Sequence, residues 1–122
     1  MIKRLDRIDV CTTDLEDAKA IFERNFGFAV HRVTGSDDAT IVIGDAEIRL
    51  RSGASVASVI AGAGEGLAAV WLEAEDLDQI QAALQYAGLG YKPPRTEGGR
   101  RIIEIDASVA NMVPLLIFGR RV

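Results

Sequence analysis

The sequence predicts an α+β fold in which one domain, residues 1–122, consists of two tandem βαβββ units. A strand leading into a capped helix occurs twice, because the dipeptide Asp14-Leu15 recurs 62 residues later as Asp76-Leu77. Both helical patterns end at a glycine, Gly27 and Gly88, which is the usual residue beyond a helix C-terminus. The length is that of one ordinary domain, which can bury a core without disulfides or a structural metal.

The first unit begins with a half-buried strand at Leu5–Cys11, where Ile8 and Val10 share one face and polar residues alternate with them. Thr13 followed by Glu16 has the spacing of a capping box, so a helix is expected to start there. The apolar stripe of this helix is Leu15, Ala18, Ile21, Phe22 and Phe26.

Three short β-rich segments complete the first unit. They are residues 28–33, 40–43 and 47–51, and turn-forming residues at 34–38 and 44–45 separate them. This order predicts three strands after the helix.

The second unit repeats the order with an alternating strand at Leu67–Glu73 and a helix that Asp76 and Gln79 can cap. Its helix stripe and its three later strands are Leu77, Ile80, Ala83, Leu84 and Ala87, then residues 90–92, 101–105 and 112–118. The predicted boundaries are about 3–52 for unit one, 53–66 for a linker and 67–119 for unit two.

The linker region is rich in Gly, Ala and Ser. It reads either as a plain mobile connection or as a flap over a cavity, in which Val56, Val59 and Ile60 would supply the apolar contacts.

Composition excludes several classes of partner. A net charge of −4, a pI near 4.9 and the absence of any Lys/Arg run longer than two argue against nucleic acid. No stretch approaches the roughly 20 apolar residues of a membrane span, and no signal peptide is recognisable.

The lone Cys11 cannot form an internal disulfide and reads as a small buried hydrophobe rather than a nucleophile. A cytoplasmic location is expected.

The paired βαβββ units, with residues 14–18 (Asp-Leu-Glu-Asp-Ala) and 26–28 (Phe-Gly-Phe), resemble the vicinal oxygen chelate superfamily of glyoxalases, bleomycin-resistance proteins and extradiol dioxygenases. The resemblance implies two curved half-barrels that enclose a cavity, with the helices outside. It also implies a homodimer, for which the apolar segment Val113–Phe118 offers a plausible edge.

In the implied fold, alternation assigns side chains to the cavity from both first strands. These side chains are Arg7, Asp9 and Cys11 from the first unit and Ala69, Trp71 and Glu73 from the second.

Metal-dependent members of the superfamily carry His, Glu or Gln ligands on the first and last strands of each unit. The matching positions here are Arg7, Arg49, Ala69 and, with a loose register, Pro114. Arg, Ala and Pro cannot ligate a divalent cation, and the single His31 has no His partner. We therefore expect no metal and no other cofactor.

The leading hypothesis is a metal-independent small-molecule-binding protein. An aromatic or apolar ligand would lie against Trp71, with an anionic or carbonyl oxygen near Arg7 and Arg49 and with Cys11 in the lining.

Other interpretations remain open from the residues alone. The inner charges could instead form a self-compensated web, with Arg7 paired to Asp9 or Glu47 and Arg49 paired to Glu73. The chain could be a metal-free isomerase or lyase with Glu73 or Asp9 as the proton-transfer base, or an interaction module without a cavity.

Overall fold

The computed structural model describes residues 1–119, which contain eight strands, three α-helices and two short 3₁₀ turns. The strands and α-helices are β1 (Ile2–Cys11), α1 (Leu15–Phe26), β2 (His31–Arg32), β3 (Ala39–Ile43), β4 (Ala46–Arg51), α2 (Ala57–Ala63), β5 (Gly66–Ala74), α3 (Leu77–Ala87), β6 (Arg95–Glu97), β7 (Arg100–Glu104) and β8 (Leu115–Phe118). The 3₁₀ turns are Ala54–Val56 and Ala107–Ala110. The α+β class and the repeated βαβββ order are confirmed.

The chain divides into two compact units. The N-terminal unit is Arg7–Ala68, and the C-terminal unit combines Met1–Asp6 with residues 69–119. Strand β1 is therefore shared, because its first half belongs to the C-terminal unit.

In the N-terminal unit the strand order is β2-β3-β4-β1, with β1 parallel to β4 and the other pairs antiparallel. Helix α1 covers one face of these strands. The core beneath it includes Leu15, Ile41 and Leu50, with Val10 and Ile48 packed against them. Val10 thus lies on the helix side of β1, as its alternation predicted.

In the C-terminal unit the order is β5-β8-β7-β6, with the first half of β1 beside β5. One apolar cluster, under α3, is Ala74, Leu77, Ile80, Ile103, Ile105 and Ile117. A second cluster, with alternate residues of the same strands, is Ala69, Ile102, Leu116 and Phe118, with Trp71 packed against it. These strands therefore bury side chains on both faces.

The helix ends follow simple capping chemistry. Asp14, rather than the predicted Thr13, caps α1, because its carboxylate accepts a hydrogen bond from the Asp17 N–H at 3.0 Å. Asp76 caps α3 as predicted, accepting from the amides of Asp78 and Gln79.

The first unit's second strand is shorter than predicted. Residues 28–33 were expected to be extended, but β2 is only His31–Arg32. The Phe28 N–H donates to the Phe22 carbonyl, and Gly27 adopts a left-handed φ of 68°, so residues up to Phe28 complete the end of α1. Two residues of the predicted helix stripe, Ile21 and Phe26, are exposed.

Other differences lie near the C-terminus. The predicted strand at 90–92 is a single bridge between Tyr91 and Ile105, whereas β6 was not predicted. Strand β8 starts at Leu115 rather than Met112 because Asn111 and Met112 have positive φ angles.

The proposed dimer edge is wrong. Strand β8 lies between β5 and β7 and pairs with both, so Leu115–Phe118 offers no unpaired edge to a second subunit. Dimerisation itself stays a prediction. No helix in residues 1–119 is both long and apolar enough to cross a membrane.

Candidate ligand-binding site

Charged side chains gather on the face of β1 and β4 that α1 does not cover. Asp9 lies opposite Arg49 and Cys11 lies opposite Arg51 in the parallel register. Residues opposite one another share a face, and the intervening Val10 packs in the core under α1. This part of the sheet therefore brings together the predicted site residues of the first unit.

Arg7 and Asp9 form an ion pair along β1, with Arg7 Nε 3.0 Å from Asp9 Oδ1. Asp9 is only 2% exposed, and a buried carboxylate of this kind requires a nearby cation. The pairing is one of those that the self-compensated web predicted.

Arg49 and Arg51 converge on Asp38, a residue that the sequence analysis did not single out. Arg49 Nε and its terminal nitrogen each lie 3.0 Å from Asp38 Oδ2, and Arg51 Nε lies 3.8 Å from the same oxygen. Asp38 is buried, at 7% exposure. Arg49 therefore pairs with Asp38 and not with Glu73.

A tight turn places Asp38 at the start of β3. The Val33 N–H donates to the Asp38 carbonyl at 2.9 Å, and the Asp38 N–H donates to the Ser36 hydroxyl at 3.1 Å. The sequence carried one signal for this cluster: Arg49 and Arg51 are two residues apart, which puts both on one face of a strand. The turn residues carried no comparable signal.

Two further polar groups belong to this face. Glu47 accepts a hydrogen bond from the Thr40 hydroxyl. Burial raises the pKa of the Cys11 thiol, and the nearby Arg51 offsets this effect only in part. Cys11 is 2% exposed, so it is a buried neutral thiol at neutral pH.

Trp71 and Glu73 belong to the C-terminal unit and have different surroundings. The Trp71 ring is 6.4 Å from that of Phe118, and the Arg100 guanidinium lies 4.7 Å from the Phe118 ring centroid. Trp71 thus packs beside Phe118, whose ring also contacts the Arg100 guanidinium.

Glu73 is engaged by cations from the start of β1. Arg4 donates to Glu73 Oε1 at 3.1 Å, and Lys3 Nζ lies 3.6 Å from Oε2. Both carboxylate oxygens therefore already face positive groups.

The strand registers also identify the residue of β8 that corresponds to Arg49 of β4, which the sequence alone did not determine. Arg49 lies opposite Asp9, and Leu116 lies opposite Trp71, which follows Asp9 by the repeat spacing. The repeat equivalent of Arg49 is therefore Leu116 and not Pro114.

The residues at the four metal-ligand positions do not fit a metal ion. Arg7 and Arg49 are cationic, and Ala69 and Leu116 are packed in an apolar cluster. Within residues 1–119 no three His, Cys, Asp or Glu side chains are grouped so that they could hold a metal ion. These four positions therefore provide no ligands for the metal ion that a metal-dependent reaction would need.

Comparison with known proteins identifies the family. Residues 4–106 match the model of the Glyoxalase/Bleomycin resistance protein/Dioxygenase superfamily. A search of curated proteins gave no match.

Solved structures share the fold at low identity. A Streptomyces coelicolor methylmalonyl-CoA epimerase variant in complex with 2-nitronate-propionyl-CoA is 20% identical, with a TM-score of 0.74 and coverage of 98% of this chain and 95% of that chain. A hypothetical protein from Bacillus halodurans C-125 is 16% identical, with a TM-score of 0.76 and the same coverage. Methylmalonyl-CoA epimerase from Mycobacterium tuberculosis is 19% identical, with a TM-score of 0.73 and coverage of 97% and 88%. The chain belongs to the Glyoxalase/Bleomycin resistance protein/Dioxygenase superfamily.

Proposed function

We propose that the protein is a metal-independent small-molecule-binding member of its superfamily. The ligand presents an anionic or carbonyl oxygen to Arg49, with Arg7 and Arg51 beside it in the N-terminal unit. The observation that carries the proposal is the convergence of two guanidiniums on the single carboxylate of Asp38.

This convergence leaves hydrogen-bond donors in excess of acceptors. Each guanidinium has several N–H donors in a planar fork, yet Arg49 and Arg51 approach the same oxygen of Asp38. Their side chains are 25% and 33% exposed, so part of each arginine is open to solvent and to a ligand. A carboxylate, phosphate or carbonyl oxygen matches these donors.

The arginines also supply positive charge where relatives with a metal would need ligands. A guanidinium can stabilise an oxyanion by charge and by directed hydrogen bonds, which replaces part of what a Lewis acid does.

The test is a titration with sodium phenylacetate, and its neutral counterpart phenylacetamide serves as the reference ligand. Arg51→Gln is the informative variant because it leaves the Arg49–Asp38 ion pair intact. We expect it to weaken phenylacetate binding by about five- to tenfold, as the loss of one charge-assisted contact does, without changing the weak binding of phenylacetamide.

Arg32→Gln is the matched control, because Arg32 pairs with the exposed Glu16 at the surface. Isothermal titration calorimetry is the readout. Equal phenylacetate affinity in the wild type, Arg51→Gln and Arg32→Gln would refute the anion site.

A metal-free isomerase is the second candidate, because several structural neighbours are methylmalonyl-CoA epimerases. Glu73 or Asp9 would be the base, but cationic groups already contact both carboxylates. Proton abstraction would require these groups to move aside. If an activity is found, a Glu73→Gln variant with full turnover would remove Glu73 from the mechanism, and Asp9→Asn would test the other base.

A further inference from the structure

The N-terminal unit contains a concavity that none of the charged residues above lines. It is a cleft of about 360 Å³, within the size range of small-molecule sites. Its lining residues are Thr12, Thr13, Gly53, Ala57, Ile60 and Ala61.

One wall of the cleft is a single face of α2. Ala57, Ile60 and Ala61 have the i, i+3, i+4 spacing that places side chains together on a helix. The sequence suggested a flap here with Val56, Val59 and Ile60. Of these three, Ile60 lines the cleft, whereas Val59 is 41% exposed and does not.

This wall is fixed at both ends, although its sequence is rich in small residues. Val56, just before α2, is fully buried at 0% exposure. Just after α2, Glu65 Oε1 accepts hydrogen bonds from the Thr13 N–H at 2.6 Å, the Thr13 hydroxyl at 2.7 Å and the Thr12 hydroxyl at 3.3 Å. The cleft is therefore preformed rather than dependent on a ligand for its shape.

Glu65 does not itself line the cleft, but its hydrogen bonds to Thr12 and Thr13 place its carboxylate beside two lining residues. The Thr13 backbone N–H, followed by the Thr13 hydroxyl, lowers the pKa of Glu65, so this carboxylate is ionised at neutral pH. Glu65 makes no ion pair with another described residue. The Thr13 hydroxyl donates to Glu65 and so offers a ligand only its acceptor lone pairs.

A second carboxylate, that of Asp37, lies close to Gly53, another lining residue. A Cβ atom at Gly53 would be 2.4 Å from Asp37 Oδ2, so that carboxylate touches the Gly53 backbone. No Lys or Arg lines the cleft. Its surroundings combine apolar walls with acceptors and negative charge.

We propose that this cleft binds a small primary amine with a short apolar chain. The alkyl chain lies against Ile60 and the two alanines of α2, and the ammonium group donates to Glu65 and to the Thr13 hydroxyl. This site is separate from the proposed anion site and requires the opposite ligand charge.

The test uses three six-carbon probes, hexylamine, hexan-1-ol and hexanoate, each titrated into ¹⁵N-labelled full-length protein at pH 7. We expect hexylamine to shift the amides of Thr13, Ala57 and Ala61 with the highest affinity of the three. Glu65→Gln keeps an oxygen that accepts from Thr13 but removes the charge, and it should weaken hexylamine binding by about three- to fivefold while hexan-1-ol binding is unchanged.

Ala61→Leu fills the cleft and should abolish hexylamine binding. Ser58→Leu makes a similar change on α2 outside the lining and should leave binding at the wild-type level. Equal binding of hexylamine, hexan-1-ol and hexanoate, or wild-type hexylamine affinity in Ala61→Leu, would overturn the proposal. Failure of Arg51→Gln to affect phenylacetate bears only on the other site.

Discussion

The cluster of Arg49, Arg51 and Asp38 predicts that an added anion should partly reverse the loss of stability caused by Asp38→Asn. The substitution removes the one carboxylate on which Arg49 and Arg51 converge and preserves the side-chain shape. Breaking a buried ion pair costs roughly 3–5 kcal/mol and breaking an exposed one at most about 1 kcal/mol. Asp38 is buried, but the two arginine side chains are 25% and 33% exposed, so we expect a loss of about 1–3 kcal/mol.

If the cluster is an anion site, an added anion should replace the lost carboxylate. At a phenylacetate concentration of ten times its Kd, the expected stabilisation is about 1.4 kcal/mol. We expect Asp38→Asn to bind phenylacetate more tightly than the wild type and to regain much of its stability. Urea denaturation with phenylacetate, or with sodium chloride at equal ionic strength, measures this recovery.

Asp78→Asn is the matched control, because it breaks the exposed Arg101–Asp78 pair and should cost no more than about 0.5 kcal/mol with or without phenylacetate. If phenylacetate stabilises Asp38→Asn no more than it stabilises Asp78→Asn, the arginines form a self-compensated web. The binding proposal would then be refuted.

Three further predictions concern stability and reactivity. Gly53→Ala should cost about 1–3 kcal/mol in urea denaturation, because φ 83° with ψ −168° is accessible almost only to glycine and because the new Cβ would press on the Asp37 carboxylate. Gly27→Ala, in the left-handed region with open space around it, should cost about 1 kcal/mol, and equal costs would contradict this. The Lys92 hydrogen bond lowers the pKa of Glu104, so its stabilisation is present above about pH 4.5 and is lost as pH falls through the folded pKa; Glu104→Gln should therefore destabilise at pH 7 but not in acid. Burial raises the pKa of Cys11, so stability should fall above about pH 9, where only the unfolded thiol ionises, and Cys11→Ala should remove this part of the alkaline loss.

Local patterns in the sequence predicted much of the fold, because the interactions that determine it are local. The Asp76 cap, the glycines that end α1 and α3, and the alternation of β1 each depend on residues a few positions apart. The repeat spacing then identified which side chain of one unit corresponds to which of the other. For this reason the sequence alone could identify Arg7 and Ala69 as equivalent positions of the two units.

Long-range contacts account for what the sequence could not predict. The partner of Arg49 depends on a turn that brings Asp38 beside it from eleven residues away. The segment before β5 was read as a linker because its residues are small, yet the burial of Val56 and the bonds of Glu65 to Thr13 order it. A carboxylate that caps another segment's amide has no sequence signature.

The two units fill the positions at which metal ligands were expected in physically different ways. In the N-terminal unit the positions carry Arg7 and Arg49, whose charges are held by acidic partners. In the C-terminal unit they carry Ala69 and Leu116, which are 8% and 6% exposed within an apolar cluster. Restoring one ligand, for example by Leu116→Glu, would bury a carboxylate among apolar side chains at a cost of several kcal/mol. Since no single substitution recovers a metal site, the cluster around Arg49 is the better starting point for identifying the ligand.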